Sequence, residues 1–431
     1  GATDFLTLSG TDVESVADAA GGAVVMSKIT DARRPVHVQT DELDGYTSLR
    51  FSRTASASAG SALRSATGGI TGAVDHEIAM LAKWTGSEVD GSGADQFAAF
   101  GRSGGFLTSA IGRKYTPGNA ATLVDWGGGS GIAIPTTYYT SDNAWNLYEK
   151  VYDASTQRLI MLKNGRPDFR LDSTNGGYTQ CLATGVGAGA IAPDNVEFGY
   201  QRLVGGYPIP HTDMIAGLFF DKVRTGTNRA KLYEWIADHF PSRFSYAPTV
   251  ITVGDSRPWG YGILAADRYS RTVATALGYR DGNSAVGSTT IATALTNLDL
   301  SLMCGADGES GGIIRLGKPT VLLCDSGIND LAASRSATDI FADELAIYAA
   351  ARVEYPTITC VSIVCLPDTG LTGPQETQRA ALNALRAGGT NTADHYVAAT
   401  GSSILTWSAT DYFDTVHLNE VGHGKLATAI Q

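Results

Sequence analysis

The stretch Thr249-Val-Ile-Thr-Val-Gly-Asp-Ser256-Arg-Pro-Trp-Gly-Tyr-Gly262 decides how the second half of this chain folds. A β-branched apolar run stops abruptly at Gly254-Asp255-Ser256. A glycine-punctuated loop follows, and a helical pattern then runs from about Ile263 to Leu277. This reads as a buried parallel strand, a tight turn and a helix. In an open α/β sheet, ligands bind at the carboxyl ends of the strands. A serine at such a turn is either a helix cap or a nucleophile. The residues around it have to decide which.

The same grammar continues downstream. Strand Pro319–Cys324 precedes helix Thr338–Val353, and strand Ile358–Cys365 precedes helix Glu376–Arg386, which stops at Gly388. A weaker unit, Asn283 to Leu295, reads as a short strand and turn feeding a helix. Continuous apolar strands alternating with helices predict a parallel sheet covered on both faces. Right-handed crossovers then bring the loops after Val253, Cys324 and Cys365 to one edge.

Upstream the pattern changes. Short strand-like runs recur between turn clusters: Tyr46–Phe51, His76–Trp84, Gln96–Phe100, Asn146–Tyr152, Arg158–Leu162 and Met214–Phe220. These predict an antiparallel β-sandwich. Lys163-Asn164-Gly165-Arg166 is a hairpin signal, because Asn-Gly supplies the positive φ of a type I′ turn. A helix is expected from Thr227 to Phe240, with Leu232, Trp235, Ile236 and Phe240 on one face and Pro241 as its stop. Ser242 to Pro248 reads as a linker. The expected domains are therefore 1–245 and 246–431, in line with a chain of 431 residues, too long for one ordinary core.

Composition narrows the partners. The apolar fraction of 43% is that of a folded protein, and no run is apolar for the length of a membrane span. A formal charge of −11 disfavours nucleic acid and anionic membrane surfaces. The opening Gly1-Ala-Thr-Asp4 carries no basic or apolar leader. That suits a processed chain, one that never had a leader, or a piece of a longer protein. Cys181, Cys304, Cys324, Cys360 and Cys365 are odd in number and form no C-x-x-C pair, so neither a zinc site nor a disulfide framework is expected.

Chemistry collects on the predicted sheet edge. A hydroxyl attacks only when a base takes its proton, and the base needs a carboxylate to fix its tautomer. Ser256, His417 and Asp414 supply those parts, and the three-residue spacing of Asp414 and His417 lets one helical turn or tight loop present both. Oxyanion donors are available from the N–H groups of Ser256 and Gly287 and the side-chain amide of Asn329. These catalytic and oxyanion residues require no cofactor and no metal.

In this order the segments resemble the blocks of the SGNH (GDSL-type) hydrolases. Gly254-Asp255-Ser256 is similar to the block that carries the nucleophile. Gly287 matches the oxyanion glycine of the second block. Gly327-Ile328-Asn329-Asp330 matches the third, and Asp414-Thr415-Val416-His417 the last. Arg257-Pro258 and Ser326 depart from the usual neighbours of the first and third blocks. In the first half, Val151 to Gly165, Ile215 to Asp221 and the closing helix resemble a laminin-G or concanavalin-like jelly roll, implying carbohydrate or protein binding, or else a packing or spacer module.

Together the resemblances imply a serine esterase that takes O-acetyl groups from a polysaccharide, as in secreted bacterial carbohydrate esterases or phage tail spikes. They imply an extracellular or virion-associated protein, and a homo-oligomer, trimeric if it is a tail spike. The cysteine pattern leans toward the virion. The rivals are a general short-chain esterase or lipase with the sandwich as spacer, and a non-catalytic glycan-binding adhesin.

Other motifs count for less. Gly101–Gly105 and Gly308–Gly312 fit G-x-S-x-G but lack the strand-to-helix context, and Gly185–Ala190 lacks a helix after its glycines. His37, His76, His211, His239 and His395 have no partner spacing, and His423 is expected to pack. Asp255 and Asp330 are expected to brace their turns. Trp259 and Tyr261 either stack on a sugar ring or pack on the sheet.

Overall fold

The structure, a computed structural model, describes residues 6–9, 12–17, 25–28, 36–51, 59–65, 75–84, 93–103, 106–116, 119–127, 130–133, 144–156, 158–167, 182–183, 197–204, 212–220, 222–303, 309–310, 312–368, 370–398 and 408–431. The chain forms two compact units whose main boundary falls between Arg224 and Thr225. That is about twenty residues earlier than the linker expected at 245.

The first unit is antiparallel throughout its described pairings, with seventeen strands joined in one hydrogen-bonded system. Its centre is His76–Trp84, flanked by Trp145–Asp153 and Thr212–Phe220. Asn164 and Gly165 take φ of 58° and 73°, and Lys163 pairs with Arg166 across them, as the Asn-Gly signal requires. Asp44-Gly45 makes the same kind of turn, with φ of 49° and 78°, between Val36–Leu43 and Tyr46–Phe51. The central strands are buried on both faces. Glu77 and Glu149 are both held by Arg224, at 2.7 Å for Glu149. His76 is a buried core histidine, within 3.4 Å of Lys150 Nζ.

The second unit opens with the helix Gly226–His239, capped by Thr225. Its buried face is Ala230, Tyr233, Ile236 and Ala237, while Trp235 points outward. The Glu354 carboxylate accepts the Gly226 N–H, and an added Cβ at Gly226 would come 2.5 Å from the Tyr355 ring. This helix therefore belongs to the parallel unit. The jelly-roll resemblance loses its closing element, because Ala230 is in the core of the other fold.

The expected linker is also structural. The strand Phe244–Gly254 begins at its third residue and pairs in parallel with Ile313–Asp325 along its whole length. Pro319 stands inside that partner strand, not at its start. Thr249 pairs with Pro319 and Val250 with Val321, so the register slips at the residue after the proline. A proline cannot donate to the ladder and is tolerated at such a bulge.

In space the parallel strands run Arg280–Asn283, Phe244–Gly254, Ile313–Asp325, Thr359–Ile363, His395–Val397. In chain order this is 2-1-3-4-5. The connections leave in opposite directions from the first and third strands, and a crevice opens between their carboxyl ends. Alternate residues face opposite layers. Ile251, Val253, Leu322 and Cys324 pack with helices Ile291–Thr296, Leu298–Met303, Ala337–Glu354 and Gly373–Ala387. Val250, Leu323, Val361 and Ile363 pack with Tyr269–Leu277 and Glu420–Ile430. The unit is thus an α/β/α sandwich. Cys324, Cys360 and Cys365 are buried free thiols inside it, and Cys181 and Cys304 lie outside the described residues. Among the described residues no helix is long and apolar enough to cross a membrane.

Candidate active site

Ser256 opens a one-turn helix, Ser256–Trp259, directly after the first strand. The expected helix from Ile263 does not form as one piece. Gly260 and Gly262 take φ of 77° and 82°, and helix resumes only at Ala265–Asp267 and Tyr269–Leu277. Asp255 is the cap of the nucleophile turn, accepting the Arg257 N–H at 3.0 Å. Gly254 is obligatory: a Cβ there would sit 1.9 Å from the carbonyl oxygen of Asp325. Asn283 Nδ2 donates to Pro258 O at 2.6 Å and ties the turn to the second strand.

The capping role at this turn thus falls to Asp255, and the Ser256 hydroxyl is directed elsewhere. Its Oγ lies 2.8 Å from His417 Nε2, and His417 Nδ1 lies 2.7 Å from Asp414 Oδ2. An ionised carboxylate only accepts, so Nδ1 carries the proton and Nε2 accepts from Ser256. Asp414 and His417 come from a tight loop and not from a helical turn. Asp414 Oδ1 accepts the N–H groups of Val416 and His417, each at 2.7 Å. Partial burial pushes the Asp414 carboxyl up, but the His417 ring and these N–H bonds outweigh it and hold it down at about 2. It is therefore a carboxylate over the whole neutral range.

The loop that carries them closes on itself. Phe413 N–H donates to His417 O at 2.7 Å, Tyr412 bridges to Leu418, and Asn419 N–H donates to Asp411 O at 3.0 Å. Lys425 holds the buried Asp411 carboxylate at 2.8 Å. A Cβ at Gly422 would meet Asp411 O at 2.3 Å, so the last helix can approach the loop only with glycine there.

The oxyanion candidates come from two neighbouring loops. Gly287 faces the nucleophile: a Cβ added to it would stand 3.9 Å from Ser256 Cβ. Val286 N–H and Thr289 Oγ1 both donate to Gly254 O, which pins this loop to the first strand. Ser288 takes φ of 63°, an uncommon backbone state for a residue with a side chain. Asn329 spends one of its two side-chain N–H groups on Thr289 O at 2.9 Å. Asp330 accepts Arg335 Nη1 at 2.6 Å beside its own turn and the Ile291 N–H at 2.9 Å, so it also ties that turn to the segment that follows Gly287. The Ser256 N–H is the first of its helix and has no intrahelical partner.

Beneath the serine lies a set of buried charges that the sequence did not announce. Arg257, Asp255 and Asp325 are all buried, and Arg257 Nη2 donates to Leu366 O at 3.2 Å. Burial raises the Asp255 carboxyl to about 7, with Arg257 opposing and Asp325 adding to the rise. Burial raises Asp325 as well, against the pull of Arg257 and a 3.0 Å bond from Tyr269 Oη. Two carboxyls facing one guanidinium are neutral when they hold a single proton. Further back, Arg386 binds Glu344 Oε2 at 2.7 Å and Ser326 O at 2.9 Å, both partners fully buried. Such residues carry no periodicity of their own, so only the fold reveals them.

The remaining motifs fall away. His423 is buried, accepts the Tyr269 N–H at 3.2 Å and is held neutral by burial, at about 4. His239 bonds Trp235 O, and His395 lies on an edge strand. The side chain of His37, all of His211 and Gly185–Ala190 lie outside the described residues. Gly101–Ser103 ends an antiparallel strand and Ser310 lies in a short antiparallel pairing, so neither is a strand-to-helix elbow. Among the described residues no group of three or more His, Cys, Asp or Glu is placed to hold a metal ion.

Comparisons with solved structures find proteins similar to part of this chain. A member of the lipolytic protein G-D-S-L family from Veillonella parvula DSM 2008 is 14% identical, with a TM-score of 0.32, covering 42% of this chain and 96% of its own. The psychrotrophic esterase EstA from Pseudoalteromonas sp. is 14% identical, with a TM-score of 0.31 over 42% and 93%. A Clostridium thermocellum family 3 carbohydrate esterase is 16% identical, with a TM-score of 0.33 over 43% and 94%. No protein-family model and no curated sequence matches the chain. The functional reading therefore rests on the geometry of this chain's own residues.

Proposed function

We propose that this chain is a serine esterase that removes O-acetyl or similarly short acyl groups from a polysaccharide. The observation that carries the proposal is the unbroken relay from Asp414 through His417 to Ser256, at 2.7 and 2.8 Å. His417 takes the Ser256 proton as the hydroxyl attacks the ester carbonyl. Asp414 keeps the imidazole in its tautomer and stabilises the imidazolium that forms. The N–H groups of Ser256 and Gly287 and the Asn329 amide receive the oxyanion. His417 then protonates the leaving alcohol, and a water activated by the same imidazole hydrolyses the acyl-enzyme. Each step uses the chain's own groups and water.

The antiparallel unit is read as a concanavalin-like sandwich that binds the polysaccharide. On that reading the protein works outside the cell or on a virion, as a homo-oligomer if it is a tail spike. The test is acetate release from a panel of acetylated bacterial and plant polysaccharides, with p-nitrophenyl acetate alongside. Ser256→Ala is expected to lose about 10⁴-fold or more on every substrate that the wild type cleaves. Nitrophenyl turnover without glycan release would leave the esterase and remove the polysaccharide. Activity surviving the substitution would overturn the relay.

A further inference from the structure

The relay is flanked by aromatic rings that none of the hydrolytic steps uses. Trp259 covers Gly287, whose added Cβ would come 3.2 Å from the indole. Tyr261 follows, with its ring centre 6.2 Å from Trp259 and 4.5 Å from the His417 imidazole. Phe413 ends the arc, edge-on to Tyr261 at 6.4 Å. Gly262 makes room for it, since a Cβ there would meet the Phe413 ring at 3.3 Å. Exposure differs along the arc. Trp259 is partly buried, but Tyr261 is 47% exposed and Phe413 60%. Two large rings left in water beside a buried serine offer a surface for a ligand's apolar face.

The chemistry says which part of an ester meets them. His417 has to protonate the leaving oxygen, so the alcohol half leaves past the imidazole. The oxyanion donor Gly287 lies at the Trp259 end of the arc. Tyr261 packs on the imidazole itself, and Phe413 immediately precedes Asp414. Both rings therefore stand on the leaving-group side.

We propose that Tyr261 and Phe413 form the subsite for the alcohol half of the ester, and that this half is a pyranose whose C–H face stacks on them; the inference rests on the esterase reading of Ser256. A sugar ring has apolar C–H faces and a rim of hydroxyls. It can lie on exposed aromatic rings while its rim stays hydrated, and so avoids the cost of burying unpaired hydroxyls. An alkyl alcohol would gain most from a closed apolar channel, which two rings this open to water do not form.

Phe413 is the residue to change, because Tyr261 also touches His417. Wild type, Phe413→Tyr and Phe413→Leu are compared on per-O-acetylated methyl glucopyranoside and on ethyl acetate. Phe413→Leu is expected to lower kcat/KM on the sugar ester about tenfold more than on ethyl acetate, mainly through KM. Phe413→Tyr is expected to keep the sugar preference of the wild type. Equal losses on the two esters would overturn the subsite, as would a leucine variant with the sugar preference of the tyrosine one. Ethyl acetate turnover by Ser256→Ala at the wild-type rate would instead remove the esterase reading, and this inference with it.

Discussion

The nucleophile and the base are held in opposite ways. Gly254-Asp255-Ser256 is buried and fixed by contact: the Gly254 backbone lies against Asp325 with no room for a side chain, and Asp255 is enclosed beneath it. The loop from Asp411 to Asn419 is anchored by the buried Asp411 and Leu418, and between them polar bonds hold a turn in which Phe413 and Asp414 are exposed. Packing determines where the serine is. Hydrogen bonding determines where the histidine is. The two meet at one 2.8 Å contact.

Three substitutions sharpen this contrast. Asp414→Asn acts only on the hydrogen-bonded side. It should reduce kcat by about 10⁴-fold while the melting temperature stays near that of the wild type, as read by nitrophenyl ester kinetics and calorimetry. A large fall in melting temperature would mean that the base loop supports the fold. Gly254→Ala acts on the packed side and should cost about 3 kcal/mol or more of stability by denaturant unfolding, because an L side chain fits neither the space nor the backbone. An unaltered midpoint would refute the steric account of the nucleophile turn.

The smallest effect is a pH slope. Burial raises the folded Asp255 carboxyl from 3.8 to about 7, so the folded state binds a proton that the unfolded chain has released. Its contribution is full below the unfolded value and is lost as the pH rises toward about 7. Stability should therefore fall across that window, and Asp255→Asn should flatten the slope in unfolding curves taken at stepped pH. A slope unchanged by the substitution would assign the proton to another group, Asp325 first.

Much of the parallel unit was legible because its strands are continuous apolar runs and its loops carry short motifs at strand ends. Ser256, Asp414 and His417 were readable for that reason, and the structure brings them into one hydrogen-bonded relay. Gly287 and Asn329 were readable too, and they fall on two loops tied to each other and to the first strand. Besides the buried charges beneath the serine, three things were not legible. Pro248 and Pro319 looked like strand boundaries, yet their strands run through them: Pro248 stays in register with Lys318, and the ladder slips one residue after Pro319. The helix Gly226–His239 follows antiparallel strands in sequence, but which core it joins depends on Ala230, Tyr233 and Ile236, whose partners are distant in the chain. Phe413 was passed over because one exposed aromatic has no pattern; its meaning comes from Tyr261, which lies far away in sequence.

The self-closed loop from Asp411 to Asn419 has a thermal consequence. Its exposed turn, tied by a handful of polar bonds between the buried Asp411 and Leu418, opens at a lower free energy than the sheet behind it. On warming, the imidazole would leave the serine while the α/β/α layers remain intact. Heat inactivation would then precede melting and reverse on cooling, with the last helix still in place to receive the loop again.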